Sequence, residues 1–159
     1  MYPVAMKLAF ILSRYFPYGG LQRNFLRIAE RCRDAGHRVV VFTLDWQGPV
    51  PAGFTVVPVR VRAVRNHARN LAFVRALQPR LAAGCFDGVV GFLKVPGLDI
   101  YYAADPCYQA RTRERGLLYK LDSRYRNLVA LERAVFAPEH DTEILVLSAV
   151  EQRHYMDCY

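Results

Sequence analysis

Lysine is nearly absent from this sequence. Three lysines stand against 19 arginines, and with 14 acidic residues the net charge is +8. An arginine excess of this kind suits anionic partners such as phosphate groups, nucleic acid or acidic lipid, although a merely basic soluble surface is also compatible with it. The four cysteines, Cys32, Cys85, Cys107 and Cys158, form no C-x-x-C pair. Zinc spacing is therefore missing, and a disulfide framework is not expected in a chain with this much core, which favours reduced thiols and the cytoplasm. No apolar run reaches the ~18 to 20 residues of a membrane span, so any membrane contact is expected at the surface. The opening "MYPVAMKLAFILSRYF" has its lysine inside the apolar run and no small-residue cleavage site. It reads as a buried first strand and not as a signal peptide. Neither G-x-G-x-x-G nor the G-x-x-x-x-G-K-[ST] loop occurs. No histidine pairs with cysteine or carboxylate at metal spacing, and no serine sits in a nucleophile turn.

What is present is a folded chain of 159 residues, 53% hydrophobic and 13% aromatic. That length suits one domain with a real core. "MKLAFILS" (6–13) has the continuous apolar character of a strand covered on both faces. Leu21, Phe25, Ile28, Ala29 and Cys32 then recur at helical spacing, with Arg23, Arg27, Glu30 and Arg31 largely opposite, and Gly36 stops the helix. "RVVVFTL" (38–44) is a second buried strand, and "FTVVPVRV" (54–61) is a third, near an edge because of Pro58. A basic link, 62–70, leads to a helix ending near Ala83. Short strands are expected at 86–92 and 99–105, with a Lys-Val-Pro-Gly turn between them. A mostly helical stretch, 108–137, breaks at Gly116, and a buried strand at 142–148 precedes a last helix. This alternation predicts an α/β fold, a doubly wound and mainly parallel Rossmann-like sheet. Ligands in such sheets lie outside the carboxyl ends of the strands, where Gly19, Gly20, Lys94 and Asp105 are expected to gather.

Each of these positions admits a plain reading beside a functional one. Gly19 and Gly20 open a helix, whose free amides and partial positive charge attract anions, and glycine supplies close approach and unusual dihedrals. A simple tight turn fits equally well. Lys94 follows a strand end and either meets an anion or is solvated. Asp105 either orients a hydroxyl or caps the next helix with Pro106 at its first position. Arg65, Asn66, His67, Arg69 and Asn70 offer donors for a phosphorylated or polyhydroxylated ligand, or an asparagine caps the helix. Residues 108–137 carry Arg111, Arg113, Arg115, Lys120, Arg124, Arg126 and Arg133 against three acids, a net +4, beside an apolar stripe of Leu117, Leu118, Leu121, Tyr125 and Leu128. Such a segment lies in anionic headgroups or packs its stripe on the core. No RNP or G-x-x-G signature supports RNA binding, so nucleic acid is not the expected partner.

"YFPYGGLQRNF", "NHARN", "GFLKVPGLDIYYAADPCY" and "LYKLDSRYRNLVALERAVF" follow one another in a fixed order. In this combination the chain resembles the lipopolysaccharide core heptose glucosyltransferases, the glucosyltransferase I group of family 4 glycosyltransferases. The resemblance covers essentially the whole chain. It implies the N-terminal domain of a GT-B fold over 1–159, with the C-terminal donor-binding domain absent. It also implies retaining transfer of glucose from UDP-glucose to the inner-core heptose of a lipid acceptor, without metal or cofactor, at the cytoplasmic face of the bacterial inner membrane. On this resemblance Gly19 and Gly20 meet the donor diphosphate and Asp105 meets the acceptor hydroxyl. Asn24, Arg65, Asn66, His67, Arg69 and Lys94 fall on the acceptor side. The basic residues of 108–137, from Arg111 to Arg133, meet the anionic membrane. Two departures bear on the acceptor side: relatives usually carry aspartate where Asn24 stands and asparagine where Leu93 stands. With one wall of the cleft, the chain alone is expected to be inactive, a fragment or the product of a degraded gene. The alternative is a non-catalytic, membrane-associated domain that holds the lipid-linked sugar.

Overall fold

The structure, a computed structural model, describes residues 4–62 and 66–159. Six strands form one parallel sheet: β1 (Lys7–Ile11), β3 (Arg38–Thr43), β5 (Phe54–Pro58), β6 (Gly88–Gly91), β7 (Ile100–Ala103) and β8 (Glu143–Val146). Their spatial order is β5-β3-β1-β6-β7-β8. The apolar runs of β1 and β3 are buried on both faces, as the sheet centre requires. The chain builds outward from β1 to β5, then returns through α2 (Asn66–Ala83) to place β6 on the other side of β1. That reversal is the topological switch point, and the carboxyl ends of β1 and β6 flank it.

Helix α1 (Gly20–Asp34) covers one face with Phe25 and Ala29, which pack on Phe10, Val39, Val41, Phe92 and Tyr102. Its end is as expected: Gly36 adopts φ +91°, and the Gly36 and His37 amides bond back to Arg33 and Cys32 carbonyls. The opposite face receives Phe73, Val74 and Leu77 of α2, Val135 of α5 (Ser123–Phe136) and Tyr155 of α6 (Ala149–Cys158).

Several expectations need correction. The basic link does not extend to Asn70, because α2 already includes Asn66 to Asn70. The Lys-Val-Pro-Gly turn, by contrast, joins two parallel strands, as the expected sheet requires. β6 and β7 run parallel, joined only by residues 92–99, and that loop fills the core with Val95 and Leu98 where a crossover helix normally would. β8 is an edge strand with alternating exposure rather than a buried one. Residues 108–137 break twice, at Gly116 and at Asp122, into α3 (Tyr108–Arg111), α4 (Leu117–Leu121) and α5. The apolar stripe divides accordingly. Leu117, Leu118 and Leu121 are 75%, 85% and 59% exposed, whereas Tyr125 and Leu128 are half-buried; farther along α5, Leu131 and Val135 pack on the core. A short ladder also goes beyond the sequence reading: β2 (Arg14–Tyr15) pairs with β4 (Asp45–Trp46), and Tyr15 stacks on Trp46 at 4.0 Å.

Candidate functional site

All six strands of the main sheet are parallel, so their carboxyl ends share one edge. At that edge a cavity of about 250 Å³ is lined by Asn70, Lys94, Asp105 and Arg111, with Leu93 and Tyr108 among its walls. Asp105 is exposed there, two residues past β7. Its backbone carbonyl accepts a hydrogen bond from the Tyr155 hydroxyl at 2.8 Å, which pins the loop to α6. Burial, then the nearby Glu132 charge, pushes the Tyr155 phenol far above its ordinary pKa, so it remains a donor.

Asp105 does not cap the helix that follows. The cap position of α3 is Cys107, and the amides at this helix start go to carboxylates from distant elements. Tyr108 and Gln109 N–H donate to Glu132 at 2.8 and 2.9 Å, and Cys107 N–H donates to Glu151 at 2.9 Å. Asp105 is thereby left for the cavity.

Glu132 escaped the sequence reading. It is fully buried and also accepts from Lys94 Nζ and from the Tyr159 hydroxyl at 3.1 Å. The Cys107 thiol lies against it at 3.8 Å and is pushed up to about 12, chiefly by burial. A signal existed: Glu132 stands four residues after Leu128 and three before Val135, on the inward stripe of α5. Lys94 is corrected by the same contact. It lines the cavity, but its side chain is only 13% exposed and its charge is committed to Glu132. It is a structural cation at the cavity wall rather than a free acceptor contact.

The glycine pair lies elsewhere on the same edge, outside this cavity. Gly19 caps α1 with φ −83° and ψ 143°, an extended conformation open to any residue, so unusual dihedrals are not its reason. Space is the reason: a Cβ on Gly19 would meet the Gln22 side-chain oxygen and the Phe16 ring, whereas one on Gly20 would meet nothing. Gln22, also missed from sequence, folds back so that its Nε2 donates to the Arg14 carbonyl at 3.1 Å. The first turn of α1 holds no acid, and Gly20 is exposed, so its amides suit an anion. Gly19→Ala is expected to cost about 1 kcal/mol by dislodging Gln22, and Gly20→Ala less than about 0.5 kcal/mol. Urea denaturation of both variants checks this.

Asn24 also lies outside the cavity, donating from Nδ2 to the Tyr102 hydroxyl at 2.8 Å. Arg69 is half-buried on α2 and does not line it either. Arg65, and the side chains of Asn66 and His67, lie outside the described residues. Arg111, Arg113, Arg115, Arg124, Arg126 and Arg133 are exposed, while Lys120 is half-buried and donates to the Arg113 carbonyl at 3.2 Å. Among the described residues no helix is long and apolar enough to cross a membrane, and no cluster of three or more His, Cys, Asp or Glu could hold a metal ion.

No family model matches the chain. Over 155 residues it is 44% identical to the lipopolysaccharide glucosyltransferase WaaG of Escherichia coli strain K12, covering 94% of this chain and 41% of WaaG. The crystal structure of WaaG, a glycosyltransferase involved in lipopolysaccharide biosynthesis, superposes with a TM-score of 0.91 at 42% identity, over 96% of this chain and 41% of that one. The chain corresponds to the N-terminal part of WaaG. Its parallel sheet with flanking helices is the Rossmann-like GT-B domain expected from sequence. Relative to WaaG, the chain spans about two-fifths of the length.

Proposed function

We propose that this chain is the acceptor-side domain of a lipopolysaccharide glycosyltransferase of the WaaG kind. The observation that carries the reading is the exposed Asp105 carboxylate in a cavity at the carboxyl edge of the sheet, beside Asn70 and Arg111. The transferred group is glucose, the donor UDP-glucose and the acceptor the inner-core heptose of a lipid-linked saccharide, with retention of configuration. In transfer, the acceptor oxygen bonds to the anomeric carbon as the bond to the diphosphate breaks, and the hydroxyl proton passes to the departing diphosphate oxygen. Asp105 accepts a hydrogen bond from that hydroxyl and aims its oxygen. The bare amides at Gly19 and Gly20 approach the donor diphosphate, whose remaining contacts come from a second domain.

The exposed leucines of α4 support a location at a membrane surface. Leu117, Leu118 and Leu121 are exposed and flanked in sequence by Arg113, Arg115, Lys120 and Arg124, and immersing each leucine in lipid is worth roughly 1.5 to 3 kcal/mol when complete. This fits a peripheral association at the cytoplasmic face of the inner membrane.

The test joins residues 1–159 to the C-terminal part of E. coli WaaG and assays glucose transfer from UDP-glucose to a heptosylated lipid acceptor. Transfer by the joined protein, and none by the 159-residue chain, is the expected result. Acceptor binding without transfer in a joined protein that folds would instead favour a non-catalytic domain for lipid-linked sugar.

A further inference from the structure

Beside the Asp105 cavity lies a second hollow of about 280 Å³, walled by Tyr108, Arg111, Thr112, Arg115, Tyr119 and Arg124. The two cavities have Tyr108 and Arg111 in common, so these two side chains stand between them. The three arginines come from separate places in the chain: Arg111 from α3, Arg115 from the loop after it, and Arg124 from the first turn of α5. Among the described residues none of them forms an ion pair. The nearest acids in sequence do not line the hollow. Glu114 is exposed, and Asp122 is occupied as the cap of α5, accepting from the Arg124 amide at 3.3 Å.

The remaining wall carries hydroxyls: the Thr112 hydroxyl donates to the Tyr108 carbonyl at 2.7 Å, and of the paired Tyr108 and Tyr119 hydroxyls one keeps its proton for a ligand. The Tyr108 and Tyr119 hydroxyls are 3.0 Å apart, and the Arg115 guanidinium lies 5.5 Å from the Tyr119 ring centroid. The Tyr108 phenol is pushed up to about 12, first by burial and then by its bond to Tyr119, so it is neutral near pH 7. Three like charges around one hollow repel one another, and an anion with several oxygens relieves that repulsion while using the guanidinium forks. All three arginines are exposed, yet they line one hollow.

We infer that this second cavity is a seat for a phosphate group, placed so that a sugar in the Asp105 cavity carries its phosphate into the arginines. The inference rests on the acceptor reading of the first cavity and adds to it: the acceptor is recognised through an anionic substituent as well as through its hydroxyls. The same phosphate chemistry could arrive on the saccharide itself or on a phospholipid headgroup. Arg111 stands where the neutral and anionic parts of the ligand meet.

Calorimetric titration of the 159-residue chain tests this with four probes: a hexose phosphate, the parent hexose, inorganic phosphate and monomeric short-chain phosphatidic acid. The hexose phosphate is expected to bind about tenfold more tightly than the hexose, with Arg115→Gln and Arg124→Gln each removing most of that advantage. Arg153→Gln, which removes an equal charge from α6 outside both cavities, is expected to leave it intact. Inorganic phosphate that competes with the hexose phosphate supports the seat. Competition by phosphatidic acid with the same dependence on Arg115 and Arg124 also supports it and names the headgroup as the source. Equal binding of hexose and hexose phosphate, or equal losses in all three variants, overturns the inference. Transfer in the joined protein without any phosphate preference rejects the seat alone. Phosphate preference without transfer rejects only the catalytic reading.

Discussion

Glu132→Ala is expected to destabilise the chain by about 3 to 5 kcal/mol, the usual cost of removing one partner from a buried ion pair. The change strands Lys94, which is largely shielded from water, and it leaves the Tyr108 and Gln109 amides and the Tyr159 hydroxyl without their acceptor. Lys94→Met creates the reciprocal problem, a carboxylate at 0% exposure that keeps its amide and hydroxyl donors but loses its counter-charge. The two changes combined are expected to cost less than their sum, because the second removes the charge that the first had orphaned. Urea denaturation of the two single variants and the double variant measures that coupling. Strict additivity would show that the two side chains act independently.

Asp105→Asn is expected to leave stability within about 0.5 kcal/mol of the parent, because the side chain is exposed and only the backbone of this residue is tied down. Its effect belongs to the reaction. In the protein joined to the C-terminal part of WaaG, kcat is expected to fall roughly a hundred- to ten-thousand-fold, with a smaller change in KM for the acceptor. The amide retains the size of the carboxylate but loses its charge and one of its two acceptor oxygens. Steady-state kinetics with varied acceptor separate the two parameters. An unchanged kcat would remove Asp105 from the transfer step.

The sheet centre was readable because β1 and β3 are continuous apolar runs, and α1 because its apolar residues keep helical spacing up to Gly36. Both signals are local. The start of α2 was hidden for the converse reason: "NHARN" has no apolar periodicity of its own, and the helix is anchored farther along by Phe73, Val74 and Leu77. β8 looked buried from composition, yet its place at the sheet edge exposes alternate residues, and only the strand order reveals this. The site divides in the same way. The positions of Asp105 past a strand end and of Gly20 at a helix start were readable because such ends leave marks in sequence. The Lys94–Glu132 pair joins residues 38 apart, and no local pattern announces it. Lysine after a strand end suggested a ligand contact, while the fold had already assigned that charge to a buried carboxylate.

The most direct test of an acceptor cavity at Asp105 is an amide NMR titration of the 159-residue chain with a heptose disaccharide. Saturable shifts centred on Asn70, Lys94, Asp105 and Arg111 are the predicted result. Shifts confined to the far edge of the sheet, around Asp87, Asp99 and Glu143, would contradict it.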